Sequence, residues 1–221
     1  MAPRMNPSLH LYHATPLHYL PHILQSGALY AKSVTAGQGI RPRSSALRRD
    51  KMLGLTDWVH LSTRPDTPLL RDKLARGYPH ALLVFDRAAV LALPEVALLP
   101  YNTKAWHSKA AYVPVTDAAE KAELLRVHDE THRYPSLEVL VHYGLDFAYL
   151  QKIMLPDAEE RQWIIALMAA LDCRMPAALE YAGDLFPPYN CGGETRLATR
   201  DYLDACREAN LLLPPPLIPF D

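Results

Sequence analysis

The chain is poor in the residues that build covalent or metal-held frameworks. Its only cysteines are Cys173, Cys191 and Cys206. The number is odd and no CxxC spacing occurs, so the sequence supports neither a disulfide frame nor a zinc site, and the thiols read as reduced, as in a cytoplasmic protein. Glycine is scarce too, with nine residues in 221. No Gly-rich phosphate loop or P-loop occurs, nor an HExxH pair, which argues against a Rossmann dehydrogenase, a kinase and a zinc protease. No ligand cluster calls for a metal. No run approaches the roughly 18 apolar residues of a membrane helix, and the start, Met-Ala-Pro-Arg-Met-Asn-Pro, lacks the apolar core of a secretory signal. The expectation is a protein without membrane association. Repeats and clear linkers are also absent.

What is present describes an ordinary globular protein: 49% hydrophobic and 21% charged residues, with a net charge of −1. The charge is unevenly spread. Arg41, Arg43, Arg48, Arg49, Lys51, Arg64, Arg71, Lys73 and Arg76 face only four acids in their stretch, which carries +5 while the remainder carries −6. Such a stripe either steers a polyanion to one place or solvates a helix such as Leu69–Arg76.

Element signals are mixed. His10–His13 reads as a short strand. Thr15 would cap a helix with Pro16 at its first position, Leu17, Leu20, Ile23 and Leu24 recur at helical spacing, and Gly27 stops the helix. Gly37 to Leu55 is polar and aperiodic, so a long loop is expected there. Trp58–Ser62 alternates as a strand, and Ala81–Phe85 reads as a buried one followed by an Asp86-capped helix through Leu93. The stretch from Asn102 to Ala111 looks irregular. Further on, helices are expected at Asp117–Glu130, from Asp146 to Met154, after the capping-box pattern Asp157-x-x-Glu160, at Pro176–Gly183 and at Thr199–Asn210, with a Pro214-Pro215-Pro216 tail. Strands and helices in no regular βαβ order indicate an α+β fold.

The chemistry centres on Glu138, set in the apolar run Leu137-Glu138-Val139-Leu140-Val141. A half-buried strand seldom holds an acid without reason, because an ionised carboxylate near a core is costly unless paired, hydrogen-bonded or used. Either Glu138 lies on the wet face of an edge strand beside Arg133, or it does chemistry.

Several segments together resemble the DarT family of DNA ADP-ribosyltransferase toxins, in the ADP-ribosyltransferase superfamily. Leu11-Tyr12-His13-Ala14-Thr15 followed by Tyr19 to Leu29 is similar to that family's opening strand and helix. Arg48-Arg49 before Asp57-Trp58-Val59-His60-Leu61-Ser62 resembles its basic segment and following strand, and Arg133 to Val141 its catalytic loop and Glu strand. The resemblance covers residues 9 to 189 or so. The chain departs from the pattern at His60 and Ser62, where the family usually carries aromatics.

The resemblance implies an ADP-ribosyltransferase-like split β-sheet core with peripheral helices over residues 1–189, and residues 190–221 as a C-terminal helix and Pro-rich extension on the same domain. It also implies transfer of ADP-ribose from NAD, a co-substrate, to a nucleobase of single-stranded DNA. Glu138 would stabilise positive charge on the ribose, with Arg48 or Arg49 assisting. His13, Thr15, Trp58 and His60 would bind NAD, though Trp58 and His60 also suit a purely structural role. Arg41, Arg43, Trp106, His107 and Tyr134 would meet DNA. An antitoxin or ADP-ribosyl hydrolase is the implied partner. The His-Leu-Ser segment also resembles NAD-dependent RNA 2′-phosphotransferases, and a non-catalytic nucleic-acid or NAD-binding module is the third reading.

Overall fold

The computed structural model describes residues 9–37, 47–102, 113–183, 186 and 188–216. In chain order its elements are β1 (His10–Pro16), α1 (Leu20–Ser26), β2 (Ala28–Tyr30), α2 (Lys32–Gly37), α3 (Leu47–Leu53), β3 (Trp58–Ser62), α4 (Pro68–Ala75), β4 (His80–Asp86) and α5 (Arg87–Leu91). They continue with β5 (Val96–Leu99), α6 (Ala118–Thr131), β6 (Glu138–His142), β7 (Gly144–Asp146), β8 (Leu150–Leu155), α7 (Ala158–Ala170), β9 (Ala178–Tyr181) and α8 (Glu194–Ala209). The mixture is α+β, as expected. The chain forms two compact units, one of Met1–Tyr12, Tyr30–Arg64 and Phe85–Leu145, the other of His13–Leu29, Pro65–Val84 and Asp146–Asp221.

In the first unit the strand order is β5-β6-β3-β1. β6 is therefore an interior strand, antiparallel to β3 through Ser62↔Glu138 and Leu61↔Val139, and to β5 through Leu99↔Glu138 and Leu98↔Val139. Its residues Glu138 to Val141 are all buried, so it is covered on both faces rather than half-buried at an edge. One face presents Val59, Leu61, Val96, Leu98, Val139 and Val141, none more than 3% exposed. The other carries Ala97, Leu99 and Leu140, which pack with Leu55 and are covered by Leu53, Trp58 and Tyr101. Direct partners in an antiparallel ladder share a face. Glu138 thus lies on the same face as Ser62, Leu99 and, across the next strand, Tyr12, which pairs with Ser62.

Local chemistry explains several boundaries. Asp86 accepts from the Ala89 amide, capping α5 as the sequence indicates, and Asp117 accepts from those of Ala119 and Glu120, capping α6. Gly27 ends α1 at φ 76°. Other expectations need correction. β1 runs through Pro16, so Thr15 is a buried strand residue and not a cap, and a 3-10 turn over Leu17–Tyr19 opens the helix. The expected loop from Gly37 to Leu55 begins where α2 ends and contains α3, with 38–46 outside the described residues. Asp146 caps only a 3-10 turn, after which Leu150–Leu155 is strand. The segment read as a helix from Pro176 holds β9, parallel to β8 through Ile153↔Leu179. Pairing with a neighbour overrides the helix propensity of Ala, Leu and Glu there.

In the second unit the order is β4-β8-β9, and α7 buries Ile164, Leu167 and Met168. Asp157 caps α7, but Glu160 does not turn back to complete a capping box. Its carboxylate is buried, bonded by the Tyr189 hydroxyl and by Arg196 Nε at 3.1 Å, while Arg196 also reaches Asp157 at 3.0 Å. Gly77, at φ 78°, lies where a Cβ would meet Asn190 O at 3.0 Å and Gly193 Cα at 3.1 Å, so the turn after α4 abuts backbone that precedes α8.

Two stability predictions follow from the second unit. Gly77→Ala should cost more than about 1 kcal/mol in chemical denaturation, since both φ and space oppose a side chain. Burial pushes the Glu160 carboxyl up to about 7, despite the Tyr189 hydroxyl and Arg196. The folded protein thus keeps a proton that the unfolded chain has already released. Stability should therefore fall as pH rises from about 4.5 to about 7, a fall that Glu160→Gln should flatten in pH-dependent thermal melts.

Candidate functional site

Glu138 is 7% exposed and its carboxylate is held on both oxygens. His60 Nδ1 lies 3.0 Å from Oε2, and Asn102 Nδ2 donates to Oε1 at 2.5 Å. His60 is on β3 two residues before Ser62, the direct partner of Glu138, so the ladder itself brings imidazole and carboxylate to the same face. Asn102 comes from the chain just beyond β5, whose Leu99 pairs with Glu138 on the other side. One flanking strand and the chain leaving the other thus deliver one donor each to an acid on the strand between them.

A second layer fixes His60. Its Nε2 lies 3.4 Å from the Leu55 carbonyl, and the Leu55 amide donates at 2.8 Å to the carbonyl of Asp50 in the middle of α3. Asp50 is fully buried and its carboxylate accepts from Lys32 Nζ, tying α3 to α2. Burial pushes the His60 imidazole down, but the Glu138 hydrogen bond and the charges of Glu138 and Asp50 outweigh both that and Lys32, so its net shift is upward.

Arg48 and Arg49 occupy this same α3. Arg48 is exposed and Arg49 half-buried, while Asp50 points inward. The pair is therefore carried on a helix anchored beside the Glu138 face, not on a loose loop. Trp58 packs on the Leu55–Leu140 cluster, and its ring centre is 4.7 Å from that of its ladder partner His142. Tyr134, in the left-handed region at φ 64°, meets Tyr101 edge-on at 5.6 Å with the Arg133 guanidinium 5.4 Å from its ring. Arg133 does not hold Glu138; His60 and Asn102 do. Tyr134 and Arg133 line a groove of about 580 Å³ whose other wall is α6, with Val115, Leu124 and Val127 among its apolar residues.

His13 and Thr15 follow Tyr12 on β1 and belong to the second unit. There His13 contributes to holding the buried His80 imidazole down at about 4, after burial itself and Lys73, and against the hydrogen bond with the Tyr78 carbonyl. Arg41, Arg43, Trp106 and His107 lie outside the described residues. The basic stretch is not one stripe: Arg71 pairs with Asp66, Arg76 with Asp72, and Lys73 is buried with its ammonium 5.0 Å from the Tyr78 ring. Those three serve the second unit locally.

Sequence reasoning missed Asn102, Asp50 and Lys32. Asn102 had a weak signal, a polar residue shortly after the apolar run Val96–Leu99. The Asp50–Lys32 pair had none, because nothing in the spacing says that α2 and α3 meet. Among the described residues no group of three metal-ligating side chains gathers, and no helix is long and apolar enough to cross a membrane.

No family model matches the chain, and no curated protein does. Solved structures do. DarT of Thermus sp. 2.9 in complex with ADP-ribosylated ssDNA aligns at TM-score 0.60 and 19% identity, over 84% of this chain and 100% of that one. The same protein in complex with NAD+ gives 0.57 and 19%, over 82% and 98%. Thermosipho africanus DarTG in complex with ADP-ribose gives 0.56 and 16%, over 80% of this chain and 50% of that one. The fold is that of DarT.

The anchor of α3 is testable. Asp50→Ala leaves Lys32 without its carboxylate and empties a buried position, so it should lower unfolding free energy by about 3 kcal/mol in urea titrations. A loss under about 0.5 kcal/mol would mean that the ion pair does not hold the helix.

Proposed function

We propose that this protein transfers ADP-ribose from NAD to a nucleobase of single-stranded DNA. The observation that carries the reading is the buried Glu138 carboxylate, fixed by His60 and Asn102 on an interior strand of a DarT-like fold. The neighbours bearing that fold are in complex with NAD+ and with ADP-ribosylated ssDNA.

The chemistry suits such a group. The bond between nicotinamide and ribose C1′ breaks with its electron pair leaving on the nicotinamide nitrogen, and positive charge builds on the sugar much as in glycoside cleavage. A preorganised carboxylate stabilises that charge without reorganising at the moment of reaction. A base nitrogen then gives its lone pair to C1′, and the proton it loses goes to Glu138 or to water. Arg48 and Arg49 suit the diphosphate or the DNA backbone, because a guanidinium keeps its charge and binds phosphate oxygens in pairs. His13 and Thr15 on β1, with Trp58, are the NAD-binding candidates. Tyr134, beside Arg133, suits stacking of an unpaired base, and Arg41, Arg43, Trp106 and His107 are proposed to extend the DNA surface.

Modified template bases would block replication, so the reading includes a toxin role in the cytoplasm, restrained by an antitoxin or an ADP-ribosyl hydrolase. Incubation with labelled NAD and separate DNA and RNA oligonucleotides tests it. Label should appear on single-stranded DNA, and Glu138→Gln should reduce its rate by about 10²–10⁴ with the folded state retained. Removal of a 2′-phosphate from RNA instead, or no reaction with either, would overturn the assignment.

A further inference from the structure

We propose that His60 is a positioning residue for Glu138: the imidazole bridges the carboxylate and the Leu55 carbonyl, sets the orientation of the acid, and carries a proton whose release strengthens the acid's charge. The inference rests on Glu138 being the carboxylate that faces the NAD ribose.

The geometry makes the case. His60 Nδ1 is 3.0 Å from Glu138 Oε2 and Nε2 is 3.4 Å from Leu55 O. Both of these partners are acceptors. A neutral imidazole has one N–H and serves one of them, whereas the imidazolium serves both. Burial disfavours the cation, and so does Lys32 from α2, itself committed to Asp50; Glu138 from β6 and Asp50 from α3 support the cation and outweigh both. Where the ring is protonated it is a cation held against the buried carboxylate, and the pair together is neutral.

Raising the pH removes that cation without dismantling the site. The Nδ1–H tautomer still donates to Glu138, and Asn102, a neutral amide that does not titrate, still holds the other oxygen. What changes is charge. A neutral pair becomes a net anion facing a sugar that turns cationic in the transition state, so the chemical step should quicken. NAD affinity should not change, because His60 is occupied by Glu138 and Leu55.

Two measurements on the full chain test the inference. In a ¹⁵N NMR titration, the His60 ring should titrate above its ordinary value, and in Glu138→Gln its midpoint should drop; identical midpoints would overturn the coupling. In steady-state kinetics of NAD cleavage, wild-type kcat should rise with pH through the His60 midpoint. His60→Gln, which donates but does not titrate, should abolish that rise while leaving KM for NAD within about twofold. His60→Phe, which fills the space but donates nothing, should lower kcat by about 10²-fold. A raised KM with the pH dependence of kcat intact would make His60 a contact of NAD and overturn the proposal. Active enzyme with uncoupled titration refutes this proposal alone. No NAD cleavage at any pH, with coupled titration, refutes the transferase reading and takes the catalytic role of His60 with it.

Discussion

Burying a carboxylate in the interior of a β-sheet is the constraint around which the first unit is organised. Glu138 would be untenable among Leu99, Leu140 and Leu55 without donors on both oxygens. The ladder supplies them from both flanking strands: His60 from β3, and Asn102 from the chain leaving β5. The requirement then propagates outward. His60 is steadied by the Leu55 carbonyl, Leu55 is bonded to Asp50, and Asp50 pairs with Lys32. The helix carrying Arg48 and Arg49 is therefore tied to the acid through a short chain of polar contacts rather than by loop geometry.

This arrangement explains how stability and reactivity coexist. A fully hydrogen-bonded carboxylate is rigid and charged, which is what stabilisation of a developing cation needs. One of its donors is an imidazole, so in the proposed reaction the charge of the site depends on protonation while Asn102 keeps its hold on the other oxygen. The apolar cluster of Leu55, Ala97, Leu99 and Leu140 keeps the local dielectric low and makes each of these interactions count for more than it would in water.

Much of this was legible in the sequence, and the exceptions have physical causes. The β-branched alternation around Glu138 announces a strand, and Asp86 and Asp157 mark helix starts by their capping chemistry. The interior position of β6 was not legible, because its partner β5 hides in the run Val96-Ala97-Leu98-Leu99, too short and too featureless to separate from the preceding helix. β8 misleads for a related reason: Leu150, Ile153 and Met154 fall at helical spacing, yet the segment is a strand paired with β9. His60 was legible as a candidate residue, but only the register shows it turned toward Glu138. Lys32 and Asp50 are 18 residues apart, joined by a contact that no periodicity encodes.

A crystal structure of the protein with a non-cleavable NAD analogue tests the central claim most directly. The account predicts the Glu138 carboxylate within about 3–4 Å of the nicotinamide ribose, still bonded to His60 and Asn102. A dinucleotide bound with that ribose far from Glu138, or an acid sealed away from any ligand atom, would contradict it.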